Sequence, residues 1–219
     1  WANGSHGLDA LLNLWNVCLG LAVFFLARVL GLLYFTNNID DKELNPRFHK
    51  ALLPNALLFL VFFLAFAVYV LLKDGFAVNP QTRMIVMEPH KYLTNFIELP
   101  AVLISFLAGV VLVLFGIIKS FFDSKFKSGI WFTGIGTVLT VLALFLCAGL
   151  NNTAYYPSNV DLQSSLTLAN SSSSLFTLKT MAFVTILVPF VVAYIFYAWR
   201  AIDKKNIDSQ ELKEEDHSY

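Results

Sequence analysis

The side chains that most often carry redox or metal chemistry are few in this 219-residue sequence. There are four histidines, and all fall outside the long apolar segments: His6, His49, His90 and His217. A haem held inside a membrane needs axial ligands at depth, usually His or Met. Within the apolar segments the candidates are Met181, near one end, and the cysteines Cys18 and Cys147. The sequence therefore predicts that this chain ligates no haem and no metal ion.

Acidic groups that relay protons or couple ions are also missing from the apolar segments, none of which contains Asp or Glu. Asp9, Asp74 and Glu98 lie at segment edges, where we expect solvated or helix-capping roles. The sequence has no P-loop, G-x-S-x-G, C-x-x-C or H-E-x-x-H motif. We assign no catalytic, cofactor-binding or metal-binding residue, and expect any reactive groups to lie in another chain or in a part of the protein outside this sequence.

Arg28 is the one charged residue inside an apolar segment. An arginine near the middle of a bilayer costs about 2.5–3.5 kcal/mol on insertion scales unless it reaches the interface or pairs with an anion. Because Arg28 lies about two turns from the nearer end, its side chain could extend to that interface. The alternatives are a buried ion pair and a contact with a partner, and the sequence leaves all three open.

The composition indicates a membrane protein, because 57% of residues are hydrophobic and only 14% are charged, against a usual charged share of about 25%. The mean hydropathy is +0.66. Segments long enough to cross a bilayer predict an all-α polytopic protein whose residues 1–219 form a single transmembrane domain. There are five such predicted spans: 11–35, 51–72, 99–118, 130–150 and 180–199. Gly109 and Gly116 in the third span, and Gly134 and Gly136 in the fourth, are expected to allow close helix packing.

The distribution of lysine and arginine predicts how the spans are oriented. Cations cluster in the connectors after the first and third spans and in the tail from 201 to 219, whereas the 151–179 loop has none before Lys179. By the positive-inside rule the clusters face the cytoplasm and the N-terminus lies outside. The 73–98 loop, with Lys73, Arg83 and Lys91, fits this less cleanly, and we expect it to lie along the outer surface. A net charge of zero gives no indication of nucleic acid binding.

Several short motifs resemble subunit II of the cytochrome bd-type quinol oxidases. They lie in the loop before the last span, in that span, and next to the second and third spans. They are Tyr155-Tyr156-Pro157-Ser158, Ser165-Leu166-Thr167, Ala169-Asn170 followed by Ser171 to Ser174, Thr177-Leu178-Lys179, Val188-Pro189 with Tyr194, Asp74-Gly75-Phe76 and Asn95-Phe96. The resemblance extends over most of the chain from the first span onward.

The resemblance implies a four-helix bundle plus one peripheral helix, and an accessory subunit whose haem-bearing partner is subunit I. The complex would oxidise a membrane quinol and reduce oxygen to water in the bacterial inner membrane. Family members have about twice as many spans, so the five here would be the second half, which agrees with a sequence that begins at Trp1. The acidic residue of the family's first half has no counterpart here, so no proton-path residue is assigned.

Two other functions are considered. Pro54, Pro100 and Pro189 could mark the broken helices of a transporter, although the spans lack acids and the sequence shows no internal repeat. The second alternative is a structural multispan protein with glycosylated outer loops, suggested by sequons at Asn3, Asn151 and Asn170. A serine-rich loop produces such triplets by chance.

Overall fold

The computed structural model describes Gly4 and residues 7–202, apart from Lys125 and Asn159. Within these residues the chain is mostly helical, with one small antiparallel sheet. The elements are α1 (Leu14–Asn38), α2 (Leu44–Leu72), β1 (Gly75–Val78), β2 (Ile85–Glu88), α3 (Lys91–Glu98), α4 (Pro100–Phe122), α5 (Gly129–Gly149), α6 (Leu168–Ser171) and α7 (Leu175–Ile202). Short 3-10 turns occupy Leu8–Leu12 and Leu162–Ser164. His6, His217, Asn3 and most of the expected tail lie outside the described residues.

Five of these helices, α1, α2, α4, α5 and α7, are long and apolar enough to cross a membrane. Their limits differ from the predicted ones because local hydrogen bonds, rather than hydropathy, start each helix. The Asn13 side chain accepts a hydrogen bond from the Trp15 amide and starts α1 three residues later than expected. Asp41 accepts from the amides of Glu43 and Leu44, so that α2 begins at Leu44, before its apolar core.

The membrane helices form two antiparallel hairpins, α1 with α2 and α4 with α5, that pack side by side as a four-helix bundle. Val29 and Leu33 of α1 join Phe59 of α2 and Val113 and Ile117 of α4 in the core between the hairpins. No residue of α7 is buried, and a ring contact between Trp199 and Tyr34 links it to α1. The predicted four-helix bundle with one peripheral helix is thus confirmed.

Small residues bring α4 and α5 into close contact. A Cβ atom added to Gly109 would lie 2.7 Å from the Thr140 amide nitrogen, and one added to Gly136 would lie 2.6 Å from the Gly109 carbonyl oxygen. Gly116 is packed in the same way against Thr133. The predicted close packing is confirmed at these three glycines. It is wrong for Gly134, which faces open space, because a Cβ atom added there would have no neighbour within 4 Å.

The 73–98 segment is more ordered than the surface loop that the sequence predicted. Strands β1 and β2 pair antiparallel, with Gly75 opposite Glu88, and α3 follows. The turn between the strands forms because the Asn79 side chain accepts hydrogen bonds from the amides of Gln81 and Thr82. One end of the bundle carries this sheet, α3 and the 150–174 loop. We call it the hairpin end, after the antiparallel pair of strands β1 and β2 and not after the helical hairpins. The opposite end, with the connectors 39–43 and 123–128, is the connector end.

Candidate functional site

The hairpin end is closed by a buried polar network centred on Asn95 of α3, whose side chain is fully buried. The Asn95 amide nitrogen donates to the carbonyl oxygen of Cys147 and to the hydroxyl of Thr153, both at 2.8 Å. Its amide oxygen accepts from the Asn151 side chain at 3.0 Å. Asn151 also donates to the Glu98 carboxylate. These hydrogen bonds hold together α3, the C-terminus of α5 and the loop that follows α5. Each polar group in the network has a hydrogen-bond partner within it.

The 150–167 segment completes this cap by pairing with the sheet. Thr153 forms an isolated antiparallel bridge with Ala77. The Gln163 side chain accepts from the Ile85 amide at 2.9 Å and donates to the Ile85 carbonyl at 2.8 Å, so it continues the strand pairing. The buried hydroxyl of Ser165 donates to the Leu162 carbonyl. These bonds make the loop a structural part of the cap.

The residues around α6 and the start of α7 are fixed by side-chain caps. Thr167 and Asn170 form a reciprocal capping box at the start of α6. Ser174 accepts from the Thr177 amide in the first turn of α7. The Asn170 side-chain nitrogen also donates to the Ser165 carbonyl. The side-chain nitrogens of Asn151 and Asn170 thus both donate hydrogen bonds within the fold.

Tyr92 gives the cap a pH-dependent group outside the membrane helices. It lies beneath Gly75, where an added Cβ would come within 3.2 Å of the Tyr92 ring, and it is 9% exposed. Burial raises the pKa of the Tyr92 hydroxyl above its usual value. Because the pKa of Tyr92 is higher in the folded protein, the neutral Tyr92 hydroxyl contributes fully to folding stability below the ordinary tyrosine pKa of about 10. This contribution is lost as the pH rises through the folded pKa.

We expect the hairpin end to loosen above a pH of about 10, and Tyr92→Phe to shift this loss to higher pH, because phenylalanine cannot ionise. Protease cleavage of the 150–174 loop, measured across an alkaline pH series, tests this. Tyr156→Phe is the matched control, since Tyr156 is 68% exposed. An equal shift for both variants would contradict the assignment.

The connector end holds an open polar cleft of about 870 Å³. Its lining includes acidic, basic and imidazole side chains, notably those of Asp40, Asp41, His49 and Lys127. Lys127 forms an ion pair with Asp40 at 2.9 Å, which ties the connector before α5 to the connector after α1. The side-chain oxygen of Asn45, another lining residue, is buried and has no hydrogen-bond partner in the described structure. Charged and polar side chains therefore surround this cleft.

A second cavity of about 300 Å³ lies within the bundle, between the two helical hairpins. Its walls are apolar apart from the hydroxyl-bearing Thr137 and Thr140. Both hydroxyls donate to carbonyl oxygens one turn earlier in α5. The cavity consequently presents no free polar group to a ligand and fits only small apolar molecules or acyl chains.

The residues considered as haem ligands are dispersed. Met181 is exposed on α7, Cys18 lies on α1, and Cys147 is buried at the hairpin end, where its thiol donates to the Tyr92 carbonyl. His49 lines the polar cleft and His90 precedes α3. Among the described residues no cluster of three or more His, Cys, Asp or Glu is placed to hold a metal ion.

The prolines do not break the membrane helices. α2 continues through Pro54 and α7 continues through Pro189, while Pro100 occupies the first turn of α4, where its missing N–H is harmless. The discontinuous helices that a transporter of this type would use are not formed at these positions.

Five apolar membrane helices closed by a polar cap define a multi-pass helical membrane protein. The family of cytochrome bd terminal oxidase subunit II matches residues 2–202. The chain belongs to this family, and so to the subunits of a terminal oxidase complex. No curated protein matches the sequence.

Proposed function

We propose that this chain is the accessory second subunit of a bd-type oxidase that oxidises membrane quinol and reduces oxygen to water in aerobic respiration. The observation that carries this proposal is the family match over residues 2–202. In this proposal the haems reside in a partner, subunit I, and this chain binds none. The five spans would form the second half of a longer subunit, as the resemblance implies.

A scaffolding role is supported by how the bundle is built. The α4–α5 hairpin is packed through glycines, and the cap at the hairpin end is fixed by mutually satisfied polar groups. By contrast, the apolar side chains of α7 are exposed along its whole length. A rigid bundle with exposed apolar helices is suited to packing against another membrane subunit and lipid.

We place the protein in the bacterial plasma membrane, with the connector end in the cytoplasm. The connector end carries Lys42, Arg47, Lys50, Lys119 and Lys127, which the positive-inside rule assigns to the cytoplasm. Most cations of the 73–98 segment are engaged locally: Lys91 is buried and paired with Glu88 at 3.3 Å, and Lys73 lies over the Tyr69 ring. The polar cleft would then open to the side from which protons are drawn.

Purification of the native complex through a tag on this chain tests the function. We expect a haem-bearing polypeptide in equal amount, quinol-dependent oxygen consumption, and a Soret band that stays with the partner when the subunits are separated. A stoichiometric haem on the separated chain would contradict the proposed division of roles. Recovery without any haem protein would contradict the oxidase function itself, and solute transport by the chain alone in liposomes would favour the transporter.

A further inference from the structure

Aromatic residues at both ends of α1 set the depth of its arginine. At the hairpin end, Trp15 stacks on Tyr69 with ring centroids 4.1 Å apart, and at the connector end Tyr34 contacts Trp199. Such rings mark the two membrane interfaces. Trp15 and Tyr34 are 19 positions apart, which is a rise of about 28 Å along the helix, close to the roughly 30 Å hydrocarbon thickness. Along the helix axis, the backbone of Arg28 lies about 9 Å from that of Tyr34, toward the middle of the span.

The Arg28 side chain points away from the interface that it could most easily reach. Its guanidinium carbon lies 5.8 Å from the centroid of the Phe24 ring, one turn toward the hairpin end. Helical side chains lean toward the helix N-terminus, which for α1 is the hairpin end. Phe24 lies almost halfway between Trp15 and Tyr34. The guanidinium is thus directed to the middle of the span, and extension to the connector end would need the opposite direction.

No carboxylate of the described residues pairs with Arg28. Among the described residues, ion pairs join Lys91 with Glu88, Lys119 with Asp123, and Lys127 with Asp40, and these pairs lie near helix ends. Arg28 itself is exposed on the outer surface of the bundle. In a bilayer that surface is hydrocarbon, where an unpaired arginine costs about 2.5–3.5 kcal/mol on insertion scales. A counter-charge from outside the chain would remove this cost.

The face around Arg28 is shaped for a close helix contact. Gly20, Ala27 and Gly31 lie on the side of α1 opposite its buried residues, next to Phe24. A Cβ added to either glycine would have no atom within 4 Å. Between α4 and α5, the space beside the glycines is occupied by the neighbouring helix. The space beside Gly20 and Gly31 on α1 is empty. This face lets another helix approach α1 closely.

We infer that this face of α1, formed by Gly20, Phe24, Ala27, Arg28 and Gly31, docks against a transmembrane helix of the partner subunit that presents a side-chain carboxylate to Arg28. The inference rests on the proposed function for the existence of the partner. A lipid phosphate is not the counter-charge, because phosphates lie beyond the aromatic rings and the guanidinium points to mid-depth. The planar guanidinium fits a carboxylate through two parallel N–H···O bonds.

The test uses the native complex, purified through a tag on this chain. We expect Arg28→Leu to reduce the haem-bearing partner recovered per chain by at least about tenfold, because it leaves the partner's carboxylate unpaired in a dry contact. Arg28→Lys keeps the charge without the bidentate geometry and should retain part of the partner. The amount of chain in the membrane should not fall, since Arg28 makes no ion pair with the other described residues.

A second pair of variants tests the close contact. Gly31→Leu should also displace the partner, whereas Gly134→Leu, at an equally open glycine on α5, should not. Equal recovery for the wild type, Arg28→Leu and Gly31→Leu would overturn the inference and leave the proposed function standing. Equal losses for Gly31→Leu and Gly134→Leu would overturn it as well. If the wild-type chain recovers no haem protein, the proposed function fails and the inference fails with it.

Discussion

Replacing Gly136 with alanine is expected to separate α4 from α5 and lower the free energy of unfolding by about 1–3 kcal/mol. The added Cβ would lie 2.6 Å from the Gly109 carbonyl oxygen and 2.7 Å from the Val113 amide nitrogen. Both are backbone atoms of α4, so no side chain can rotate away and the helices must move apart. The higher helix propensity of alanine, at most about 1 kcal/mol, offsets this only in part. Thermal unfolding in detergent measures the loss.

Gly134→Ala is the control for this prediction. Gly134 is on the same helix, two residues earlier, but faces open space, so we expect its alanine variant to match the wild type or exceed it slightly. Gly109→Ala should behave like Gly136→Ala because the two glycines face each other. Equal stability of the Gly136 and Gly134 variants would show that the helices do not pack through this seam.

The membrane helices could be predicted because their signal is local. Hydropathy over about 20 residues is sufficient to identify a span, whereas the ends depend on single side chains such as Asn13 and Asp41, which cap helices outside the apolar core. Residue type indicated that glycines form an interface. It could not distinguish Gly134 from Gly136, which lie about 160° apart around the helix.

The cap at the hairpin end could not be predicted because its pairings are non-local. Strands β1 and β2 have four residues each, too few for a clear alternation, and Asn95 finds partners more than 50 positions away at Cys147 and Thr153. The available signal was the motifs themselves. Asn95, Ser165 and Thr167, which carry the family resemblance, are buried polar residues of this cap. These motif residues thus have a structural role, which is to form the buried polar part of the cap.

The Arg28 alternatives were left open by the sequence for a related reason. Distance along the helix gives the depth of the backbone, but the depth of the charge also depends on which way the side chain leans. The contact with Phe24 supplies that direction. A mid-depth charge on an otherwise apolar surface is more informative about a partner than the many exposed leucines and phenylalanines, which lipid satisfies equally well.

Replacing Asn95 with leucine is expected to lower the free energy of unfolding by about 2–4 kcal/mol, since each buried group left without a partner costs about 1–3 kcal/mol. Leucine has a similar size and should fill the space. It would, however, leave the Cys147 carbonyl oxygen at the end of α5 without its donor, and the Asn151 amide without one of its two acceptors.

Asn95→Asp separates hydrogen bonding from shape. A carboxylate can still accept from Asn151, but it cannot donate to Cys147 or Thr153 and would face the Cys147 carbonyl with a negative charge, so we expect a loss at least as large as for leucine at neutral pH. Thr94→Ala is the control, because the Thr94 hydroxyl lies at the surface and donates to the carbonyl of His90, the residue just before α3. Unfolding in detergent and protease cleavage of the 150–174 loop give two readouts. Lower stability with faster loop cleavage for both Asn95 variants, and neither change for Thr94→Ala, is the expected pattern. Wild-type cleavage rates in Asn95→Leu would mean that the loop is held by the sheet pairing at Ala77 and Ile85 alone.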